Sequence, residues 1–276
     1  MSTAAPPCVV ELPPVRLPGT EEHVLATPGG EYRLWLALPS GPPPPAGFPL
    51  VLLLDANASF GLVTDIARAG ALRAGVTGIG SAVVAGIAYP GDAPFHRARR
   101  MLDYTPGPPA AEPAPHPTGG RDAFLATLRG PVAARIAERC TINPARRVLV
   151  GHSLAGFLAL DVLAHDPESF GAYVAVSPSV WWNPARLAFT PRARPPRVAI
   201  AVGGYEQGLT PWEAGTPEAA RTAERRERRA MVDHARDAAR RLEAAGYPVQ
   251  FQCAEGETHG SVMPVALGRA LRFVLG

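Results

Sequence analysis

A serine at the centre of a strand–turn–helix pattern constrains this chain more than any other feature. Three apolar residues, 148–150, run into Gly-His-Ser-Leu-Ala-Gly, and an apolar, helix-forming run follows. Gly151 and Ala155 lie two positions either side of Ser153, where small side chains let the strand and helix backbones pass close together. The pattern is typical of a nucleophile elbow, in which a strained turn exposes a serine hydroxyl above a sheet. The alternative, an incidental serine in a glycine-rich loop, leaves the flanking strand and helix unexplained.

The other apolar runs predict how the rest of the chain folds. Strands are expected at 50–54, 82–88, 147–150, 172–177, 197–202 and 249–253. Continuous apolar runs are typical of parallel strands buried on both faces, and helical patterns separate them. A turn at residues 28–30 adds an antiparallel hairpin at the N-terminal end. The sequence therefore predicts an α/β fold: a mostly parallel, doubly wound sheet with helices on both faces.

Two helical segments carry further signals. Residues 122–140 have a helical apolar period, and Pro131 inside them predicts a kink or a division. Residues 216–245 begin with Thr-Pro-Glu, a favourable helix start, and stop before Gly246. We expect one helix over this second range, with its run of alternating charges forming a solvated face.

The overall composition predicts one globular domain. With 47% hydrophobic and 18% charged residues, the 276-residue chain can bury a large core. We expect a proline-rich N-terminal extension over residues 1–20 and a single domain over residues 21–276. A flexible, proline-rich insert is expected within that domain at residues 107–120.

Charge, hydropathy and cysteine content limit the partners and the compartment. The net charge is +3 without a concentrated basic patch, which argues against nucleic acid as a partner. No apolar run reaches the roughly 18 residues that a membrane span needs, and residues 1–18 lack a signal-peptide pattern. The three cysteines are odd in number and far apart, which favours a reducing compartment. We therefore predict a cytoplasmic protein without a membrane or nucleic-acid partner.

A serine nucleophile needs a base, a group that orients the base, and donors for the oxyanion. In α/β-hydrolases the chain order is serine, acid, histidine. Of the seven histidines, His259 is the one on a loop after the last predicted strand, so we predict that it is the base. Glu206 directly follows an earlier strand, where the acid usually lies, and it is our candidate acid. The alternatives for the acid remain open: Asp233, Glu255, Glu257, or a Ser–His dyad without a carboxylate.

The oxyanion donors are predicted from two turns. The backbone N–H of Leu154, directly after the serine, is one donor. The second donor comes from the turn after the first core strand, at Ala56 or Asn57. Asp55 in the same turn is expected to hold that turn in place.

Four side chains are candidates for substrate contact: Arg97, Arg100, Trp181 and Trp182. The arginines follow the second core strand, and a permanently charged guanidinium suits a carboxylate or catecholate. Ion pairing with Asp92 or Asp103 is their alternative role. The tryptophans can wall a pocket for an aromatic substrate, although one of the pair can instead serve packing.

Several segments together resemble the putative-esterase family of α/β-hydrolases, over residues 25–275. Within that family the chain resembles the siderophore esterases that open ferric catecholate trilactones. The resemblance is carried by residues 53–58, Arg100 with residues 103–106, and residues 151–156, 177–182, 203–207 and 257–260. The chain departs from the family pattern at Ala56 and Ala155, where glycine is commoner, but alanine is small enough to keep both turns.

The resemblance implies a serine esterase that forms an acyl-serine, with Ser153 as nucleophile and His259 as base, and with neither a cofactor nor a catalytic metal. The partner it implies is a small-molecule ester, in this branch a ferric siderophore; we expect a monomer or a dimer. A broad carboxylesterase or thioesterase, or an acyltransferase on small acyl esters, is an alternative with the same acyl-enzyme. A non-catalytic binding protein of the same fold is another. Nucleotide binding is disfavoured because no glycine-rich phosphate motif follows the first strands.

Overall fold

The fold is built on one sheet. The computed structural model describes residues 16–276, and within them the sheet has eight strands. The strands are β1 (Thr20–Thr27), β2 (Gly30–Ala37), β3 (Phe48–Leu53), β4 (Val83–Ala88), β5 (Ile142–His152), β6 (Ala172–Val176), β7 (Arg197–Gly203) and β8 (Val249–Ala254). They lie in the order β1-β2-β4-β3-β5-β6-β7-β8; β2 pairs antiparallel with β1 and β4, and all other neighbours are parallel. The predicted, mostly parallel sheet with an N-terminal antiparallel hairpin is confirmed.

Helices cover both faces of this sheet. They are α1 (Ala56–Ala71), α2 (Ala74–Thr77), α3 (Arg97–Asp103), α4 (Arg121–Thr127), α5 (Ala133–Arg139), α6 (Leu154–His165), α7 (Ala219–Arg229), α8 (Met231–Ala244) and α9 (Val262–Leu275). The apolar side chains of α1 and α9 belong to the core on one face, and those of α4, α6 and α8 to the core on the other. In β5, Val148 and Val150 point to the first core and Leu149 to the second. Burial on both faces is the reason that the central strands are apolar throughout.

The helix predicted over residues 122–140, with a kink or a division at Pro131, forms two α-helices joined directly by a π-helical turn. Helix α4 ends at Thr127, a π-helical turn spans Leu128–Val132, and α5 begins at Ala133. Pro131 lies inside the π-helical turn. Its ring and its missing N–H interrupt the regular α-helical ladder at this point.

The single helix predicted over residues 216–245 is wrong. The chain forms α7 and α8 there, separated by Ala230, whose φ of 41° is left-handed. None of the side chains of α7 is buried, whereas α8 buries an apolar face that includes Val232 and Leu242. Neither glycine nor proline marks the break; we attribute it to the packing of α8 on the sheet. As a consequence α7 is separate from the sheet and borders the cavity described below.

The proline-rich insert at residues 107–120 contains neither helix nor strand, but specific contacts hold it in place. The Ala110 N–H donates to the Trp182 carbonyl at 2.8 Å, and the indole N–H of Trp182 donates to the Gly107 carbonyl at 3.0 Å. Glu112 forms ion pairs with two arginines of α7. These contacts join the insert to the segment after β6 and to α7, and its flexibility stays a prediction.

The predicted extension over residues 1–20 lies largely outside the described residues. From Arg16 the chain leads into β1 at Thr20, and the division between this extension and a domain over residues 21–276 stays a prediction. Across the part of the chain that the structure describes, no helix combines the length and the apolar character that a bilayer crossing demands.

Candidate active site

Ser153 lies on the turn between β5 and α6, where the sequence pattern predicts it. Its φ of 62° and ψ of −121° are strained for a residue with a side chain, and such strain costs about 1–3 kcal/mol. A Cβ atom at Gly151 would overlap the carbonyl group of Ala155, so this position requires glycine. The close crossing of strand and helix thereby holds the serine hydroxyl at the carboxyl end of the sheet.

His259 lies on the loop between β8 and α9 and contacts Glu206, which follows β7. Its Nδ1 is 2.6 Å from Oε2 of Glu206, so the ring donates this hydrogen bond to the carboxylate. Glu206 is only 3% exposed, and its other oxygen accepts from the Ser177 hydroxyl and, at 2.7 Å, from the Gly203 N–H. Three donors therefore stabilise a carboxylate that is shielded from water.

The other candidate acids are placed elsewhere. Asp233 accepts from the side-chain amide of Gln207 at 2.6 Å, and neither Glu255 nor Glu257 hydrogen-bonds the imidazole of His259. Among the described residues, Glu206 is thus the carboxylate that forms a hydrogen bond with this ring.

Ser153 and His259 open into one cavity of about 590 Å³. It is lined by Met101, Pro109, Glu112, Pro113, Pro115, Ser153, Leu154, Ser179, Trp181, Trp182, Glu206, Arg225, Arg226, Arg229, Met231 and His259. Both predicted tryptophans are in this lining. The hydroxyl of Ser179 lies 3.4 Å from that of Ser153. Ser179 was not predicted as a site residue, although it belongs to the segment 177–182 that carries the family resemblance.

His152, directly before the serine, supports the loop of His259. Its Nε2 is 3.0 Å from the backbone carbonyl of His259, and the two ring centroids are 4.6 Å apart. Burial lowers the pKa of His152 from 6.5 to about 3, and the charges of His259 and Arg100 act in the same direction. The ring is therefore neutral near pH 7 and donates from Nε2. No signal in the sequence distinguishes this side chain as a support for the loop.

The turn that precedes α1 is anchored by a buried ion pair. Asp55, with a left-handed φ of 54°, is 2% exposed. Its carboxylate accepts from Nε of Arg100 at 2.8 Å and from the Tyr104 hydroxyl at 3.0 Å. The Asn57 side chain accepts from the Tyr89 N–H at 2.8 Å and donates to the Tyr89 carbonyl at 3.0 Å. These bonds hold the turn to β4 and α3.

The N–H groups of Ala56 and Leu154 are the first of α1 and α6, so neither has a partner within its own helix. The two helices begin at the carboxyl ends of β3 and β5, which are adjacent parallel strands. Their N-termini therefore lie near each other beside Ser153. The positive ends of two helix dipoles favour a negative charge at this place.

The structure does not bring Arg97 and Arg100 to the cavity. Arg100 is 8% exposed because the buried carboxylate of Asp55 needs a counter-ion, and it also donates to the His152 carbonyl at 3.4 Å. Arg97 is exposed at the start of α3 and is absent from the cavity lining. Neither side chain is part of the cavity lining, and substrate contact by them stays a prediction. Three arginines of α7 line the cavity instead: Arg225, Arg226 and Arg229.

Within residues 16–276, no three His, Cys, Asp or Glu side chains come together as a set that could hold a metal ion. The chemistry that the arrangement offers is that of a serine hydroxyl, an imidazole oriented by a carboxylate, and unpaired backbone donors, which together suit acyl transfer.

The chain is similar to a described family and to several known proteins along most of its length. The family described as "Putative esterase" matches residues 26–259. The ferri-bacillibactin esterase BesA of Bacillus subtilis is 33% identical, over 94% of this chain and 90% of its own. The siderophore triacetylfusarinine C esterase of Aspergillus fumigatus is 31% identical, over 94% of each chain. The structure of the BES protein from Bacillus cereus superposes with a TM-score of 0.80 at 27% identity, covering 96% of this chain and 99% of that one.

Proposed function

This chain belongs to the putative-esterase family and is a carboxylic ester hydrolase of the α/β-hydrolase fold, and we propose that its substrates are siderophore esters. One observation carries the mechanism: the His259–Glu206 pair, 2.6 Å apart, shares a cavity with Ser153 on its strained turn. The substrate class is supported by relatives named as esterases of ferri-bacillibactin and of triacetylfusarinine C. The substrate is a ferric siderophore of the catecholate trilactone or a related type, with its iron as cargo.

In this proposal Ser153 is the nucleophile, His259 is the general base and then the general acid, and Glu206 orients the histidine. Because Nδ1 of His259 donates to Glu206, Nε2 is the nitrogen left to accept a proton. A serine hydroxyl is too weak a nucleophile at neutral pH without such a base. The carboxylate also stabilises the imidazolium that forms when the proton has moved.

The reaction proceeds in two halves. The Ser153 hydroxyl oxygen attacks the ester carbonyl carbon while its proton passes to Nε2 of His259. The tetrahedral intermediate collapses, the bond to the alcohol oxygen breaks, and the alcohol leaves with that proton. A water molecule then gives a proton to His259 and attacks the acyl-serine; collapse releases the carboxylic acid and returns the proton to Ser153.

The oxyanion of each tetrahedral intermediate is stabilised by the backbone N–H groups of Leu154 and Ala56. Both groups are unpaired within their helices, so they are free to donate without breaking another helical hydrogen bond. Donors that are already in place stabilise the transition state without reorganisation, and one such donor contributes about 10²–10³ in kcat.

A mass-spectrometric time course tests the function with three substrates: a ferric catecholate trilactone, its iron-free form and p-nitrophenyl butyrate. We expect wild type to open the trilactone efficiently, and Ser153→Ala to lose about 10⁴-fold or more in rate. Cleavage of p-nitrophenyl butyrate alone would retain the serine mechanism and reject the siderophore assignment. Equal rates in wild type and Ser153→Ala would contradict the mechanism itself.

We further propose that the enzyme acts in the cytoplasm, as a monomer or a dimer, on siderophore that has entered the cell. Two of its cysteines, Cys140 and Cys253, are free thiols, as expected in a reducing compartment. Cell fractionation with an antibody against the chain tests the location. Recovery of the protein outside the cytoplasmic fraction of intact cells would contradict it.

A further inference from the structure

Three arginines of α7 form a cationic row along the cavity that contains Ser153 and His259. Arg229 lies four residues after Arg225 and three after Arg226, so it shares a face of the helix with both. The left-handed residue Ala230 ends α7 directly after this row. The row is the main concentration of positive charge in the cavity lining.

The three arginines differ in what they bind. Arg226 is held by Glu213, with two guanidinium–carboxylate bonds of 2.7 and 2.8 Å. Arg225 is exposed and forms no ion pair with a described residue. Arg229 lies over the ring of Trp181, with its guanidinium carbon 4.0 Å from the ring centroid. The Nε of Arg229 is buried without a hydrogen-bond partner among the described residues.

The anion that Arg229 contacts comes from the proline-rich insert. The carboxylate of Glu112 pairs with Arg229 and, at 3.3 Å, with Arg228. Glu112 lines the cavity, whereas Arg228 does not. The insert is held near this place by its bonds to Trp182. The carboxylate of Glu112 therefore lies at the position where an anionic group of a ligand would pair with Arg229, next to Trp181.

We propose that the carboxylate of Glu112 occupies, in the free enzyme, an anion site beside Arg229 and Trp181. When the substrate binds, one of its anionic groups displaces Glu112 and occupies this site. The ligand class is an ester that carries a carboxylate or catecholate on a planar ring. The anion pairs with Arg229, and the planar ring packs against the guanidinium–indole pair that Arg229 and Trp181 form. This inference rests on the proposed ester hydrolysis and adds the residues that select for charge.

The physical basis of the selection is an exchange of one anion for another. When an anionic ester displaces Glu112, the guanidinium of Arg229 stays paired, and the carboxylate of Glu112 keeps Arg228 as its partner or moves into water. A neutral ester offers Arg229 no anion in exchange. Arg229 thus favours anionic ligands over neutral ones, and Glu112, as a competing anion, weakens that preference.

A matched pair of esters tests this: 4-butanoyloxybenzoate, which is anionic, and 4-butanoyloxybenzamide, which is neutral and of nearly the same shape. The measured quantity is the ratio of kcat/KM for the benzoate to that for the benzamide. We expect Arg229→Gln to lower this ratio about tenfold through loss of a charged hydrogen-bond partner. Glu112→Gln is expected to raise it about threefold, since the competing ion pair is partly exposed.

Arg228→Gln is the matched control. It also removes one positive charge from α7 and one ion-pair partner from the carboxylate of Glu112. It does not remove a residue of the cavity lining, so the ratio must fall much less than in Arg229→Gln. An unchanged ratio in either Arg229→Gln or Glu112→Gln, or an equal fall in Arg228→Gln, would overturn the inference while ester hydrolysis still stands. If wild type hydrolyses neither ester, the proposed function fails, and the inference fails with it.

Discussion

At the scale of single residues, the proposed role of His259 as general base depends on the carboxylate of Glu206, 2.6 Å from its Nδ1. Replacing Glu206 by Gln puts an amide against Nδ1, and the amide can donate to that nitrogen and leave the proton on Nε2. His259 then cannot accept the serine proton. We expect Glu206→Gln to lower kcat for p-nitrophenyl butyrate on the order of 10⁴-fold, with an unchanged circular dichroism spectrum.

Glu257→Gln is the control for this prediction. It removes a carboxylate two residues from His259 that does not bond to the imidazole, so activity should be retained. A Glu206→Gln variant that keeps more than a tenth of wild-type kcat would show that a Ser–His dyad suffices.

His152 is expected to make the stability of the protein depend on pH. Its pKa is about 3 in the folded chain, against 6.5 as the ordinary value. The unfolded chain therefore binds a proton below about pH 6.5 that the folded chain does not bind until about pH 3. The stabilisation is present above pH 6.5 and is lost as the pH falls, by about 2 kcal/mol between pH 7 and pH 5.

Urea unfolding of wild type and His152→Gln at pH 7 and pH 5 measures this contribution. Glutamine keeps an N–H donor for the His259 carbonyl but does not titrate. The free energy of unfolding of the variant should fall less between the two pH values, by about 2 kcal/mol. Equal losses in both proteins would show that His152 is protonated in the folded chain.

At the scale of elements, the break between α7 and α8 sets where the arginines of α7 lie. Ala230 adopts a left-handed φ of 41°, which costs a residue with a Cβ about 1–2 kcal/mol. Ala230→Gly should therefore raise the free energy of unfolding by about 1 kcal/mol. Ala223→Gly, inside α7, should lower it by a similar amount, because glycine disfavours a helix interior. Chemical denaturation of both variants checks the opposite signs; a loss in Ala230→Gly would contradict the left-handed break.

The same break marks the limit of sequence analysis at this scale. Ser153 and its flanking elements could be predicted because the apolar strand and the small residues beside the serine are local signals. The division at Pro131 also has a local cause, the geometry of the proline itself. The change of direction at Ala230 has no such signal, since it follows from the burial of one face of α8 against the sheet.

At the scale of the whole molecule, the site joins parts of the chain that are far apart in sequence. Glu206 and His259 are 53 residues apart, yet chain order within this fold restricted the choice of base and acid to a few positions. No comparable rule says which of the 27 basic residues pairs with which of the 24 acidic residues. The pairing of Arg100 with Asp55, 45 residues away, therefore could not be predicted. The pairing of Arg229 with Glu112 could not be predicted for the same reason. The catalytic candidates were therefore accessible from sequence, and the charged wall of the cavity was not.

The central claim is that Ser153 is the nucleophile of a cavity that binds ferric siderophore esters. Labelling with a fluorophosphonate, followed by peptide mapping, tests it most directly when run with and without a ferric catecholate trilactone. We predict one adduct, on Ser153, absent from Ser153→Ala and formed more slowly as the trilactone concentration rises. Folded wild type that is not labelled, or is labelled at another residue, would contradict the assignment of the nucleophile. Labelling of Ser153 at a rate that the trilactone does not change would contradict the siderophore as ligand of this cavity.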